Sequence, residues 1–393
     1  MKILVITNLF PNKLEPERAT YNRQQIYMLS KFCEIKVLAP IAWYPFKNIF
    51  DRNIKVSHIP DREIIDGIEV FHPKYFMIPK IARSLYGIMF FLSISVPVFR
   101  IYKGFRFDVI FATWAYPDSF AGVLISKLLR IPIITKVHGT DINEYANYWL
   151  RRMMIQFTLN NSDRVISVSK ALKNKMIEIG VKSEKIRVIY NGVDSDIFRP
   201  LDKTQVRKEL GINSDNNVIL FVGNLKSVKG LDYLIDALSQ IPTLNNIRLV
   251  IIGEGELKKH LELKIKSYNI QNHIYMLGIK PHSEIAQWMN VSDLLCLPSL
   301  SEGVPNVILE SLSCGIPVVA SNVGGIPEIL VSADYGIMVQ PGDSKKLCQA
   351  IQDCLRKKWN RELIRAYSSK FSWQNNVKEL YCEIEDIYAR HRK

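Results

Sequence analysis

The sequence has no C-x-x-C pair, no low-complexity segment, and no apolar run of the roughly 20 residues that a membrane-spanning helix needs. Its six cysteines are scattered, without disulfide-framework or zinc-like spacing, which reads as reduced thiols in a cytoplasmic protein. No cluster of His, Cys and carboxylates has metal-ligand spacing, so no metal is expected. The opening MKILVITNLF carries one Lys and a short apolar run. It lacks the length and the small-residue cleavage site of a signal peptide, and reads as a first buried strand.

What is present is a globular composition. The 393 residues exceed one ordinary core, and the 48% hydrophobic content supports two domains. The net charge of +14 is lopsided. Residues 1–197 hold 28 Lys and Arg against 17 Asp and Glu, whereas residues 198–393 hold 24 against 21. A basic first half suits an anionic partner: nucleic acid, phospholipid headgroups or a phosphorylated substrate. The basic residues are dispersed and no nucleic-acid recognition motif accompanies them, which disfavours nucleic acid. The uncharged stretch SLYGIMFFLSISVPVF (84–99) is interrupted by Pro97. It is flanked by Lys74, Tyr75, Lys80 and Arg83 and by Arg100, Tyr102, Lys103 and Arg106. It fits a helix lying at a membrane surface, and equally a core helix of the first domain.

Short apolar runs alternate with longer helical patterns, the signature of βαβ units and parallel sheets. In the first half the strand candidates are KILVIT (2–7), IKVLA (35–39), DVIFA (108–112), PIITKV (132–137) and RVISVS (164–169), followed by IRVIYNG (186–192). The second half restarts with NVILFVGNL (217–225), RLVIIG (248–253), HIYMLG (273–278), DLLCLPS (293–299), PVVAS (317–321) and GIMVQ (336–340). VDSDIFRPLDK (193–203) reads as a linker, and SWQNNVKELYCEIEDIY (372–388) as an amphipathic helix. Ligands of such sheets bind outside the carboxyl ends of the strands, so the chemistry is expected just after strands.

SEGVPNVILESLSCGIPVV (301–319) is placed in that way. Glu302 falls on a strand-to-helix loop, Pro305 suits the first helical position, and Glu310 falls on the second turn. Gly315 and Pro317 end the helix. The backbone of Gly303, Val304 and Asn306 surrounds a helix N-terminus, suited to an anion or to sugar hydroxyls. GNLKSVKG (223–230) places Lys226 and Lys229 within reach of a phosphate. GEGEL (253–257) contributes Gly253 and Gly255 as candidate donor-nucleotide residues, in G-x-G but not G-x-G-x-x-G, which supports a dinucleotide cofactor poorly.

These segments together resemble the retaining glycosyltransferases of family 4. The resemblance rests on GNLKSVKG, IIGEGEL, PSLSEGVPNVILESLSCGIPVVAS with its E-x7-E spacing, NVGGIPEI (322–329), NGVD…F.P (191–200) and HGTD (138–141). It implies an α/β protein of GT-B fold, two facing Rossmann-like doubly wound domains with a cleft between them. The expected division is an acceptor-binding domain at 1–195, a nucleotide-sugar domain at 196–371, and a last helix, 372–393, crossing back to the first domain.

The resemblance implies roles residue by residue. Lys229 would stabilise the donor diphosphate, Glu310 would hold the ribose, and Glu302 with the Gly303–Asn306 backbone would hold the sugar. His138 would sit near the reacting sugar and acceptor, and the backbone near Ile279 and Lys280 would read the base. The family usually has Arg where this chain has Asn224, leaving Lys226 as a candidate substitute. It usually has Gly in the loop after the first strand, where this chain has Ala19, followed by Thr20; with Asp141 these form the candidate acceptor and phosphate loop. Asp194-Ser195-Asp196 matches D-x-D literally but lies in the linker, so no metal is assigned.

The implied activity moves a sugar, with retention, from a UDP- or GDP-sugar to a lipid-linked or polysaccharide acceptor at the inner face of the cell membrane. The basic first domain would make peripheral membrane contact. The alternatives are a sugar-nucleotide epimerase, which needs no acceptor, and a non-catalytic sugar-nucleotide-binding protein.

Overall fold

The structure, a computed structural model, describes residues 1–44, 59–77, 83–242 and 244–392. The chain forms two compact units: Met1–Asn191 with Trp373–Lys393, and Gly192–Ser372. The second unit thus starts at Gly192, against the expected 196.

The first unit is built on an eight-stranded sheet. Its strands are β1 (Lys2–Ile6), β2 (Glu34–Leu38), β4 (Arg62–Ile65), β5 (Ile68–Phe71), β7 (Val109–Thr113), β8 (Ile133–Val137), β9 (Arg164–Ser167) and β10 (Ile186–Val188). A separate parallel pair joins β3 (Ile41–Trp43) to β6 (Lys74–Phe76). The sheet order is β10-β9-β8-β7-β1-β2-β5-β4, parallel except for the β4–β5 hairpin. Every residue of β7 and β8 is buried, as parallel strands covered on both faces require. Edge strand β4 instead alternates exposed and half-buried residues.

The hairpin and the β3–β6 pair are absent from the sequence reading. One signal for the hairpin is legible: Asp66-Gly67, both at positive φ (50° and 79°), is a two-residue turn between apolar runs.

The helices used below are α1 (Thr20–Leu29), α2 (Tyr86–Gly104), α3 (Phe120–Leu129) and α4 (Trp149–Asn161). The expectation that Pro97 interrupts the 84–99 segment is corrected: α2 runs through it for 19 residues. Pro97 removes one N–H from the helix, but Phe90, Ile94 and Val98 are fully buried against the sheet, and that packing outweighs the lost bond. Lys80 lies outside the described residues.

The helix Trp373–His391 packs on the first unit. Val377, Leu380, Ile384 and Ile387, spaced by three and four, enter the core beside Ile26 and Leu29 of α1. Arg164 at 5% exposure fixes it further, donating to Asp386 at 2.6 Å and pairing with Glu383.

The second unit is a six-stranded, all-parallel sheet. Its strands are β11 (Asn217–Val222), β12 (Ile247–Ile252), β13 (Ile274–Gly278), β14 (Leu294–Leu297), β15 (Val318–Ser321) and β16 (Gly336–Val339), in the order β13-β12-β11-β14-β15-β16. Helices α5 (Leu231–Ser239), α6 (Lys258–Ser267), α7 (His282–Val291) and α8 (Asn306–Ser313) lie between successive strands. Strands 11 to 13 progress outward on one side and strands 14 to 16 on the other, so the strand order reverses between β11 and β14. Such a switch point opens a ligand crevice at the carboxyl ends of the strands.

Candidate functional site

At that switch point four loops interlock through backbone contacts that only glycine allows. A Cβ on Gly230 would overlap the Pro298 carbonyl oxygen, joining the loop after β11 to the loop after β14. A Cβ on Gly253 would overlap the Gly223 oxygen, and one on Gly255 the Leu225 oxygen, joining the loops after β12 and β11. A Cβ on Gly324 would overlap the Glu302 carbonyl oxygen, joining the loops after β15 and β14. Hydrogen bonds follow the same seams: Leu225 N–H to Glu254 O at 3.0 Å, Leu300 N–H to Val228 O at 2.8 Å, and Gly325 N–H to Gly303 O at 2.7 Å. Gly253 and Gly255, expected at the nucleotide, make these close backbone approaches.

This platform brings Lys229 and Glu302 together. Lys229 follows β11 on a short 3-10 turn, and Gly230 at φ 68° starts α5. Its Nζ donates to Glu302 Oε1 at 2.6 Å, and the same oxygen accepts from Ser299 Oγ at 2.7 Å. The Glu302 side chain is only 10% exposed, so the pair is partly desolvated and strong. Ser299 escaped the sequence reading; its place three residues before Glu302 on the same loop was the available signal. Asn224 and Lys226 are exposed on the β11 loop.

Pro305 caps α8 instead of occupying its first position, so the helix begins at Asn306. Val304 is buried, and the first turn of α8 carries no acidic residue. Its positive N-terminal end therefore meets no carboxylate of its own first turn, and suits an anion. Glu310 lies one turn further. The residue is half-buried, and its carboxyl has no ion pair or hydrogen bond among the described residues. Burial pushes this carboxyl up to about 8. A carboxyl held neutral with no partner is a group awaiting hydrogen-bond donors. Ile279 and Lys280 follow β13; Ile279 is exposed and Lys280 pairs with Glu284 at 2.8 Å.

The other expected residues belong to the first unit. Ala19 precedes α1 at φ 48°, a left-handed conformation that glycine adopts without strain and that explains why Gly suits this position. Thr20 begins the helix. His138 follows β8, between the rings of Tyr21 (centroids 5.1 Å apart) and Trp114 (5.9 Å, stacked). Its Nε2 is buried and has no partner among the described residues. Burial, with the neighbouring Lys136 charge, holds the imidazole well below its usual range, so it is neutral. Asp141 is fully buried, and its carboxylate accepts the backbone N–H of Ala115 at 3.0 Å, Gly139 at 2.8 Å and His138 at 3.2 Å. Asp141 is thus a positioning residue: it ties the loop after β7 to the His138 loop.

Lys136 was also missed, although a lone Lys inside IITKV is a signal, since a strand buried on both faces must provide partners for it. Its Nζ donates to Gln25 Oε1 at 2.8 Å and Asn191 Oδ1 at 3.0 Å, and Gln25 Nε2 donates to Asn376 Oδ1 at 2.6 Å. Burial lowers its amine to about 7. Asp194 of the D-x-D match accepts the N–H groups of Asp196 at 3.0 Å and Ile197 at 3.3 Å, which occupies it in its own turn. Among the described residues no three His, Cys, Asp or Glu group as a metal site.

Comparison with known proteins covers both units. Residues 202–371 match the family model of glycosyl transferases group 1, and residues 56–197 match that of glycosyltransferase family 4. An uncharacterized glycosyltransferase of Methanocaldococcus jannaschii is 30% identical over 367 residues, covering 90% of this chain and 99% of the relative. The N-acetyl-alpha-D-glucosaminyl L-malate synthase of Bacillus anthracis is 28% identical over 301 residues, covering 76% and 78%. Among solved structures, Anabaena Alr3699/HepE in complex with UDP shares the fold with a TM-score of 0.76 at 22% identity, over 98% of this chain and all of that one.

Proposed function

The chain belongs to the family 4 glycosyltransferases of GT-B fold, and from that premise we propose that it moves a sugar from a UDP- or GDP-sugar to a lipid-linked or polysaccharide acceptor, with retention and without a metal. The observation that carries this reading is the switch-point platform: Lys229, Ser299 and Glu302 in contact, on the loops that lead to α8 and to the unpaired carboxyl of Glu310.

Each feature matches one part of a nucleotide sugar. Ribose hydroxyls satisfy Glu310. The diphosphate meets Lys229 and the α8 N-terminus, with Lys226 in reserve for the Arg replaced by Asn224. The sugar hydroxyls meet Glu302 and the Gly303–Asn306 backbone, and the base lies along Ile279 and Lys280. The bond from the anomeric carbon to the phosphate oxygen breaks through an oxocarbenium-like state. The acceptor oxygen bonds to the same face, and its proton passes to the departing phosphate. Lys229 and the helix N-terminus stabilise the negative charge gathering on that phosphate. On the first unit, neutral His138, with Ala19, Thr20 and the Asp141-braced loop, is assigned to the acceptor, to which its imidazole offers one hydrogen bond.

The basic first unit and α2 support work at the inner membrane face. UDP bound to the HepE neighbour makes UDP-sugars the first donors to test. The test incubates the full chain with labelled UDP- and GDP-sugars and a membrane extract, with and without EDTA. Label in lipid or glycan in both conditions is expected. Donor consumption without labelled product refutes transfer, and complete loss with EDTA refutes the metal-free mechanism.

A further inference from the structure

Helices α2, α3 and α4 lie side by side on the first unit, with α3 packed against both of the others. Their inner faces form the core: Phe90, Ile94 and Val98 from α2, Ala121, Val123 and Ile125 from α3, and Ile155 and Leu159 from α4. Their outer faces are also apolar. On α2, Ile88, Leu92 (65% exposed), Val96 (55%) and Phe99 form a stripe at spacings of three and four, continuing the exposed Leu85. On α3, Leu128 is exposed. On α4, Trp149 (72% exposed), Met153 (55%) and Phe157 form a second stripe, with Tyr148 just before it. Scattered exposed apolar residues are ordinary, but two stripes on helices that flank and pack against the same third helix are not.

The charges on these helices are of one sign. None of the three contains an Asp or Glu. Arg100, Lys103, Lys127 and Arg152 are exposed on them, and Arg106 and Arg130 are exposed just beyond their ends. Lys127 lies over the Phe157 ring at 5.2 Å, so cation and apolar surface are interleaved. Stripes of aliphatic and aromatic side chains bordered by cations, with no carboxylate on the helices themselves and exposed Asp163 just beyond the end of α4, suit the headgroup–acyl boundary of an anionic bilayer. Exposed Trp and Tyr favour that same depth.

We infer that the outer face of α2, α3 and α4 is a docking surface for an anionic lipid bilayer, on which α2 lies in the membrane plane. The helix is long and apolar enough to cross a membrane by length and composition, but its inner face is built into the sheet core and holds it flat against the protein. The inference rests on the membrane-facing acceptor proposed above, and names the whole surface and the lipid charge it requires.

The test is co-sedimentation of the full chain with phosphatidylcholine vesicles, with and without phosphatidylglycerol. Binding is expected only with the anionic lipid and weakens as salt rises. Leu92→Glu with Val96→Glu is expected to lower vesicle partitioning about tenfold or more, and Arg100→Glu with Lys103→Glu by about fivefold for each charge lost. Trp149→Ala separates the α4 contribution. Unchanged melting temperatures show that the variants fold, as their exposure predicts. Equal binding to neutral and anionic vesicles, no binding to either, or binding indifferent to all three variants overturns the inference. A dimer that Leu92→Glu with Val96→Glu converts to a monomer, without vesicle binding, assigns the face to a second copy and also overturns it. Sugar transfer without vesicle binding refutes this surface and leaves the transferase reading standing. Vesicle binding without transfer does the reverse.

Discussion

Replacing Glu310 with Gln tests the donor grip on a single atom pair. Glu310 ionises near its ordinary 4.5 when unfolded and near 8 when folded. Between those values the folded chain holds a proton that the unfolded chain has lost, so this group makes stability fall as pH rises through the window. Outside the window it contributes no slope. At pH 7 the gap from the ordinary value is about 2.5 units, or about 3.4 kcal/mol at 1.36 kcal/mol per unit. The side chain keeps part of its exposure, and solvent screening leaves about 1–2 kcal/mol of that. Glu310→Gln removes the titration, so the second unit is expected to melt about 3–6 °C higher at neutral pH and equally at acid pH. UDP affinity is expected to fall about tenfold or more, because ribose hydroxyls donating to Glu310 draw it into its carboxylate form on binding, and Gln offers no charged acceptor. Differential scanning fluorimetry across the window, with and without UDP, reads both effects. A variant that melts lower than the wild type at neutral pH, or that binds UDP with unchanged affinity, refutes the assignment of Glu310 as a half-buried, unpaired ribose ligand.

The remaining predictions use the same chain. Glu302→Gln is expected to slow transfer about tenfold or more while changing UDP affinity little, because it loses the Lys229 charge pair beside the sugar and not the ribose contact; equal, small effects of Glu302→Gln and Glu310→Gln sink that division of labour. Gly324→Ala sets a Cβ against the Glu302 carbonyl at φ 55°, so it is expected to cost about 1–3 kcal/mol in strain alone and to abolish the UDP-induced melting shift; normal UDP binding by this variant refutes the interlocked platform. Lys136, with an amine lowered by burial to about 7 from 10.5, holds a proton in the unfolded chain that the folded chain lacks between those values. First-unit stability is therefore expected to rise with pH across that window, and Lys136→Met to flatten the slope in a pH-resolved melt; an unchanged slope assigns it to another group.

Most of the sheet was readable in the linear chain because a buried parallel strand must be apolar along its whole length. PIITKV and NVILFVGNL, for example, became β8 and β11 with only their ends trimmed. The βαβ spacing identified which loops follow strands, and so where Lys229 and Glu302 stand. The region 41–76 was not readable, since β3 and β6 are three residues long and carry no period, and β4 is an edge strand with a mixed face. Pro97 misled because propensity describes an isolated helix, whereas α2 is held by the core beneath it.

The placement of partners was not legible. Nothing in the order of residues pairs Lys229 with Glu302, 73 positions away, or shows that Asp141 spends its carboxylate on three backbone N–H groups. That Gly253 and Gly255 approach the backbone of Gly223 and Leu225 closely is likewise absent from the linear order. Ser299 and Lys136 acquired meaning only from what lies across from them.

The sequence by itself determined the class of the protein: two parallel-sheet units, the loops that carry the chemistry, and a basic first half. Apolar periodicity and strand-following glycines are local properties, written into neighbouring residues. Tertiary structure alone decided which carboxyl is paired and which is left neutral, which histidine nitrogen is sealed, and which three helices turn a carboxylate-free apolar face outward. Burial and hydrogen-bond partnership depend on residues brought together from distant parts of the chain, and they set charge state and exposure in a way that residue order does not encode.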